Sequence, residues 1–196
     1  MIGFLQRGAG YGFQVRPAGP PDLRIGKLRM VAIAPEMLAA EHESNGGELA
    51  RILKARVTDE WPPVDWDPHV YRIILKQYDE WPESFGWHRY VVLESGLGRP
   101  RTLVGAVGGF PRAHGDVEIG YSTLPAFQRR GYATAFAKKL VEWLLTQNKV
   151  QSVSAQTYPR VTESIKVMER CGMSFVGDGD EAETVRYRRM RSLLQE

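Results

Sequence analysis

Val117-Glu118-Ile119-Gly120-Tyr121-Ser122-Thr123-Leu124-Pro125-Ala126-Phe127-Gln128-Arg129-Arg130-Gly131-Tyr132-Ala133 is the stretch that decides the fold. Residues 117–123 read as a strand of β-branched and aromatic residues broken by one glycine. Leu124-Pro125-Ala126-Phe127 then leaves the sheet, because proline cannot donate to a ladder. From Ala133 onward, Phe136, Ala137, Leu140 and Leu144 recur at helical spacing. A loop feeding a helix N-terminus presents unpaired backbone N–H groups and the positive end of the helix dipole, which together hold an anion. Gly131 and the small Ala133 let that backbone come close, and Arg129 and Arg130 add two cations. The expectation is a diphosphate site.

Downstream, Gln151–Tyr158 reads as a strand, Thr162–Cys171 as a helix, and Gly172–Gly177 as a turn into another strand, with Thr184–Met190 as a last one. Upstream, Leu28–Ala34 reads as a strand and Pro35–Ser44 as a short helix with proline in its first turn. Asn45 and Glu48 resemble a capping box opening a helix to about Val57. Asp67-Pro68 starts a helix running to about Glu80. Trp87–Glu94, Thr102–Phe110 and Asp116–Thr123 form an antiparallel meander. Met1–Asp22, with five glycines and three prolines, reads as a flexible tail, which leaves residues 23–196 as one domain.

Gln-x-x-Gly-x-Ala after a strand carrying Glu-Ile-Gly-Tyr, followed by the helix and the Glu169-Arg170-Cys171-Gly172-Met173-Ser174-Phe175-Val176-Gly177 run, resembles the GNAT N-acetyltransferase superfamily. The likeness is to the branch containing ribosomal-protein alanine acetyltransferases. It is close over roughly 87–190 and loose over 27–86. It implies a single α/β domain with a mixed, mostly antiparallel sheet flanked by helices, and a cofactor cleft at splayed central strands. It also implies acetyl-CoA as co-substrate, held by Tyr121, Ser122, Thr123, Gln128, Arg129, Arg130, Gly131, Tyr132 and Ala133. The sequence alone does not show a bulge in that strand, although Gly120 is a place where one could sit.

Acetyl transfer to an amine needs a free amine, a polarised carbonyl and a proton for the departing thiolate. Glu118, on the strand before the phosphate loop, is the candidate base, or else an exposed strand carboxylate; Asp116 reads as a solvated strand end. A backbone N–H near Tyr121 or Ser122 would polarise the carbonyl. The tyrosine that many family members place in the helix before the last glycine is Met168 here. The related branch instead has a serine within Asn-x-x-Ser, and Val161-Thr162-Glu163-Ser164 keeps the serine alone. Ser164 is therefore the candidate acid, or a first-turn serine bonding the backbone, with Tyr158 as the back-up. Cys171, at a helix C-terminus, is expected to be structural, so attack is direct. Residues 61–87 are rich in aromatics; most are expected in the core, with Trp61 and Trp81 as candidates to line an acceptor pocket.

Composition excludes several classes. A net charge of +3 and a pI near 9.0 fall short of a dedicated nucleic-acid binder. The terminal Arg188, Arg189 and Arg191 read as a solubilising end. The four histidines show no metal spacing, so no metal is expected. No apolar run approaches the ~18–20 residues of a membrane span, and one cysteine gives no disulfide. The expectation is a cytoplasmic monomer or homodimer that acetylates a small-molecule amine or a protein N-terminus. The alternative is a non-catalytic acyl-CoA-binding or regulatory module.

Overall fold

A computed structural model describes residues 19–63, 69–94, 96 and 100–192. Residues 1–18 of the expected tail, Trp66, Asp67-Pro68 and most of the 95–99 loop lie outside the described residues. The elements in chain order are β1 (Leu23–Ile25), β2 (Leu28–Ala32), α1 (Pro35–His42), α2 (Gly46–Leu53), α3 (Val70–Glu80), β3 (Arg89–Leu93), β4 (Thr102–Pro111) and β5 (Asp116–Thr123). They continue with α4 (Tyr132–Leu144), β6 (Ser152–Thr157), α5 (Thr162–Arg170), β7 (Ser174–Asp178) and β8 (Val185–Met190).

The strands form one eight-stranded sheet in the order β1-β2-β3-β4-β5-β6-β8-β7. Every pairing is antiparallel except β5 with β6. That exception follows from the connection, since α4 carries the chain back across the sheet as a crossover helix. The expected mixed, mostly antiparallel α/β domain is what the chain forms. β1 was not legible: Leu23-Arg24-Ile25 is too short to show alternation, and it pairs with β2 across a turn at Gly26.

Alternation along the strands divides the core in two. Val91, Val104, Val107, Val117 and Ile119 point to one face and are covered by Phe136, Leu140 and Leu144 of α4. Tyr90, Val92, Leu103 and Ala106 point to the other and are covered by Leu38 of α1, Leu49 and Leu53 of α2, and Ile74 and Tyr78 of α3. The Asn45 cap is as expected, its Oδ1 accepting from the Glu48 backbone N–H at 3.0 Å. The reciprocal half of a capping box is not made, because the Glu48 carboxylate turns to Arg51. The helix also stops at Leu53, with Lys54 in the left-handed region.

Buried between α3 and the sheet is a polar network. The Gln77 amide donates to the Gly109 carbonyl at 3.1 Å, so its oxygen accepts from His88 Nε2 at 3.0 Å and fixes the Nε2–H tautomer. Burial pushes the His88 imidazole down to about 3. Gly108 makes room for this ring: a Cβ there would stand 2.2 Å from His88 Nδ1.

Candidate active site

The parallel pairing of β5 with β6 covers Asp116–Ser152, Val117–Val153 and Glu118–Ser154 and goes no further. Beyond Glu118 the two strands separate, so the edge of residues 119–123 that faces β6 is unpaired. No bulge at Gly120 causes this. Gly120 pairs regularly with Gly108, and the irregularities lie at Val91/Val92 and Phe175/Gly177. The strands diverge at the end of a short parallel ladder instead.

The gap opens into a groove of about 520 Å³ that runs past Tyr121, Ser122 and Thr123 to Gly131, Tyr132 and Ala133, with Ser164 of α5 on its far wall. Gly131 is the N-cap of α4 in the left-handed conformation (φ 77°), and a Cβ there would meet no protein atom within 4 Å. Its open side faces the groove, where the first N–H groups of α4 have no helical partner. Gln128 lines the groove while its side-chain amide donates to the Thr123 carbonyl at 3.1 Å, bracing the loop against the strand. Arg129, at φ 56°, lines it too. Arg130 turns away: its guanidinium donates to the Ala126 carbonyl and lies 5.7 Å from the Phe127 ring centroid.

The Ser164 hydroxyl meets the strand rather than its own helix backbone. Its Oγ is 2.9 Å from the Tyr121 hydroxyl, which also donates to the Ser164 carbonyl at 3.1 Å. Burial pushes the Tyr121 phenol up to about 12, so it is a neutral O–H at physiological pH. Tyr158 stands elsewhere, half-buried with the Arg160 guanidinium 4.3 Å over its ring. Met168 is buried in the core. So is Cys171, whose thiol burial pushes up to about 11, as a structural cysteine requires.

Glu118 sits where the strands part. It is no exposed strand carboxylate: Arg112 reaches one oxygen at 3.1 Å, Arg186 the other at 3.2 Å, and Gln156 donates at 3.1 Å. Asp116 is not a solvated strand end either. It is buried, takes hydroxyl donors from Ser152 and Ser154, and has Arg188 at 3.6 Å. The sequence showed its place on the strand but not the two serines that parallel β6 sets beside it.

Arg188, Arg189 and Arg191, expected as a solubilising end, are each partnered, as is Arg186. Arg186 and Arg188 pair with the β5 carboxylates, Arg189 donates to the Cys171 carbonyl, and Arg191 to the Gln147 carbonyl. Arg186 and Arg112 are thus site residues that sequence reasoning missed. For Arg186 the signal was an arginine at alternate positions, 186 and 188, of a strand that pairs with β6; Arg112, just past the end of β4, carried none.

Trp61 and Trp81 do not share a pocket. Trp81 borders a cavity of about 470 Å³ with Gln77, Glu80, Phe110, Arg112 and Glu118. Trp61 borders a separate one between α1 and α2. No three His, Cys, Asp or Glu side chains among the described residues group to hold a metal, and no described helix is long and apolar enough to cross a membrane.

The sequence profile of the acetyltransferase (GNAT) domain matches residues 42–174. An uncharacterised N-acetyltransferase of Bacillus subtilis, YjdG, is 25% identical over 155 residues, covering 76% of this chain and 88% of that protein. The fold resembles the ribosomal-protein-S5-alanine acetyltransferase of Vibrio fischeri with a TM-score of 0.60 at 14% identity, over 90% of this chain and 100% of that one. It resembles the spermidine N-acetyltransferase of Vibrio cholerae, solved with CoA and spermine, with a TM-score of 0.54 at 15% identity, over 84% and 96% of the two chains. Split strands, a glycine-headed helix and a profile match over most of the chain agree: the protein belongs to the GNAT acetyltransferase family and is an acyltransferase.

Proposed function

We propose that this acyltransferase moves an acetyl group from acetyl-CoA to a primary amine by direct attack, without an acyl-enzyme. The observation that carries the reading is the end of the β5–β6 ladder at Glu118–Ser154, which leaves a strand edge leading to the Gly131 helix start. The diphosphate lies on the N–H groups of residues 131–133, and the cofactor's amide arm adds to the free edge of β5 as an extended peptide would. A backbone N–H at Tyr121 or Ser122 polarises the thioester carbonyl.

The amine enters from the cavity shared by Glu118 and Trp81. A protonated amine gives one proton to Glu118, which Arg112 and Arg186 hold in orientation. Its nitrogen then bonds to the carbonyl carbon, and collapse of the tetrahedral intermediate breaks the C–S bond. The nitrogen's second proton is lost to solvent as the amide forms. The thiolate takes a proton from the Ser164 hydroxyl, which is restored through Tyr121 from water. Small-molecule amines and protein N-termini both fit this chemistry, and dependence on acetyl-CoA fits a cytoplasmic site of action.

The test is a thiol-release assay with a panel of primary amines, run beside a calorimetric titration with acetyl-CoA. Amine-dependent thiol release with binding supports the reading. Binding without release by any amine would leave a non-catalytic acyl-CoA module.

A further inference from the structure

Away from the groove, α1, α2 and residues 55–62 enclose a cavity of about 630 Å³, within the size range of small-molecule sites. Its notable wall residue is Glu41. Tyr90 donates a short hydrogen bond to Glu41 Oε2, and the other oxygen is buried with the Trp61 indole beside it. Both groups are neutral. No lysine, arginine or histidine among the described residues neutralises this carboxylate, and its burial raises its pKa.

A carboxylate taken out of water without a counter-charge is costly. Chains that keep one beside a cavity commonly do so at a functional site. The other charged lining groups are Arg56 and Asp59, both exposed at the mouth and opposite in sign, and His42, also exposed and stacked on Tyr71 at 4.1 Å. The Trp61 ring, set edge-on to Tyr90 at 5.5 Å, adds an aromatic wall. One carboxylate among aromatic carbon suits an organic cation rather than a bare metal ion, which wants several hard ligands.

We infer that this cavity binds an organic ammonium group, with Glu41 as its counter-ion and Trp61 as its apolar wall. The site is distinct from the cofactor groove, and the inference requires neither acetyl-CoA nor turnover.

The probe is n-butylammonium, with 1-butanol as the neutral counterpart, titrated into the protein without acetyl-CoA. The Trp61 indole N–H resonance, assigned through Trp61→Phe, reports binding. Butylammonium should shift that resonance saturably, and butanol should bind at least tenfold more weakly. Glu41→Gln keeps an acceptor for Tyr90 and removes only the charge, so it should weaken butylammonium at least tenfold while leaving acetyl-CoA affinity unchanged. Equal binding of butanol and butylammonium overturns the inference, as does full affinity in Glu41→Gln or no shift at all. Should Glu41→Gln not fold, the butylammonium and butanol comparison on the wild type decides alone.

A further arm separates the two sources of such a cation. Where Glu41→Gln raises KM for diamines and not for monoamines, the site holds the far end of the acceptor. Where neither changes, the ammonium belongs to a separate ligand. The failure of acetyl transfer itself would appear in the thiol-release assay and leaves the butylammonium titration unaffected.

Discussion

The Tyr121 hydroxyl on β5 stands 2.9 Å from the Ser164 Oγ at the start of α5, joining two walls of the groove. A phenol thus arrives from the strand at a helix that has Met168 where the family resemblance implied a tyrosine. Tyr121→Phe and Ser164→Ala should each slow release of CoA thiol by about 10²-fold, at the low end of general-acid catalysis. The double variant should fall little further, since residues acting as a unit are not additive. Additive losses, or wild-type rates in both, would show that solvent supplies the proton.

Glu118→Gln keeps the shape of the side chain and removes the base. Turnover should drop by about 10²-fold with acetyl-CoA affinity nearly unchanged, and the deficit should shrink as pH rises toward the pKa of the amine. A deficit constant across pH would instead assign Glu118 to orienting Arg112 and Arg186.

Gly131→Val puts a branched side chain on the open side of the α4 N-cap and in a backbone region it disfavours. Its intrinsic cost is about 1–3 kcal/mol of stability. The decisive readout is the thermal shift with acetyl-CoA. At ~100 times the dissociation constant, the wild type gains ~2.7 kcal/mol; the variant should gain almost none.

Trp81→Ala should raise the acceptor's KM by roughly two- to thirty-fold, the span of a ~0.5–2 kcal/mol cation–π contact, and leave acetyl-CoA binding alone. Trp61→Ala should instead lower the melting temperature, because that ring packs on Tyr90. Equal activity losses that track melting temperature in both would make Trp81 a packing residue too.

His88 sets a pH dependence of stability. Its imidazole is held at about 3 in the native state by burial, against an ordinary value of 6.5. Between those values the unfolded chain binds a proton that the native chain refuses, so stability is full above pH 6.5 and falls as pH drops toward 3. The loss from pH 6.5 to 5, above most carboxylate titrations, should be roughly 1.5–2 kcal/mol. Denaturant melts of the wild type and His88→Gln across that window measure it, and the variant should be nearly flat.

The strand–loop–helix run from Val117 to Leu145 was legible because β-branched residues, Pro125, Gly131 and the helical apolar spacing all point the same way locally. β5 begins and ends where its composition says, at Asp116 and Thr123. What the chain could not show was lateral. The divergence after Glu118 depends on how long β6 stays in register, and no residue of β5 announces it. Asp116, Arg188, Arg189 and Arg191 read as solvated for the same reason: their partners lie 18 to 72 positions away, brought beside them only by the fold. The two tryptophans were grouped by nearness in sequence, whereas α3 lies between them in the chain and their cavities are separate.

The short parallel ladder also makes the sheet a lever. Strands β1–β5 and β6–β8 are two plates joined along three residue pairs, and that seam is stitched by the side chains of Asp116 and Glu118. The width of a wedge grows with distance from its apex. Thr123 lies five positions past Glu118, or roughly 17 Å along an extended strand. A rotation of about 5° at the seam would move the walls there by roughly 1.5 Å, about half the rise of one strand residue. Small changes at two carboxylates are thereby magnified at the Gly131 end of the groove.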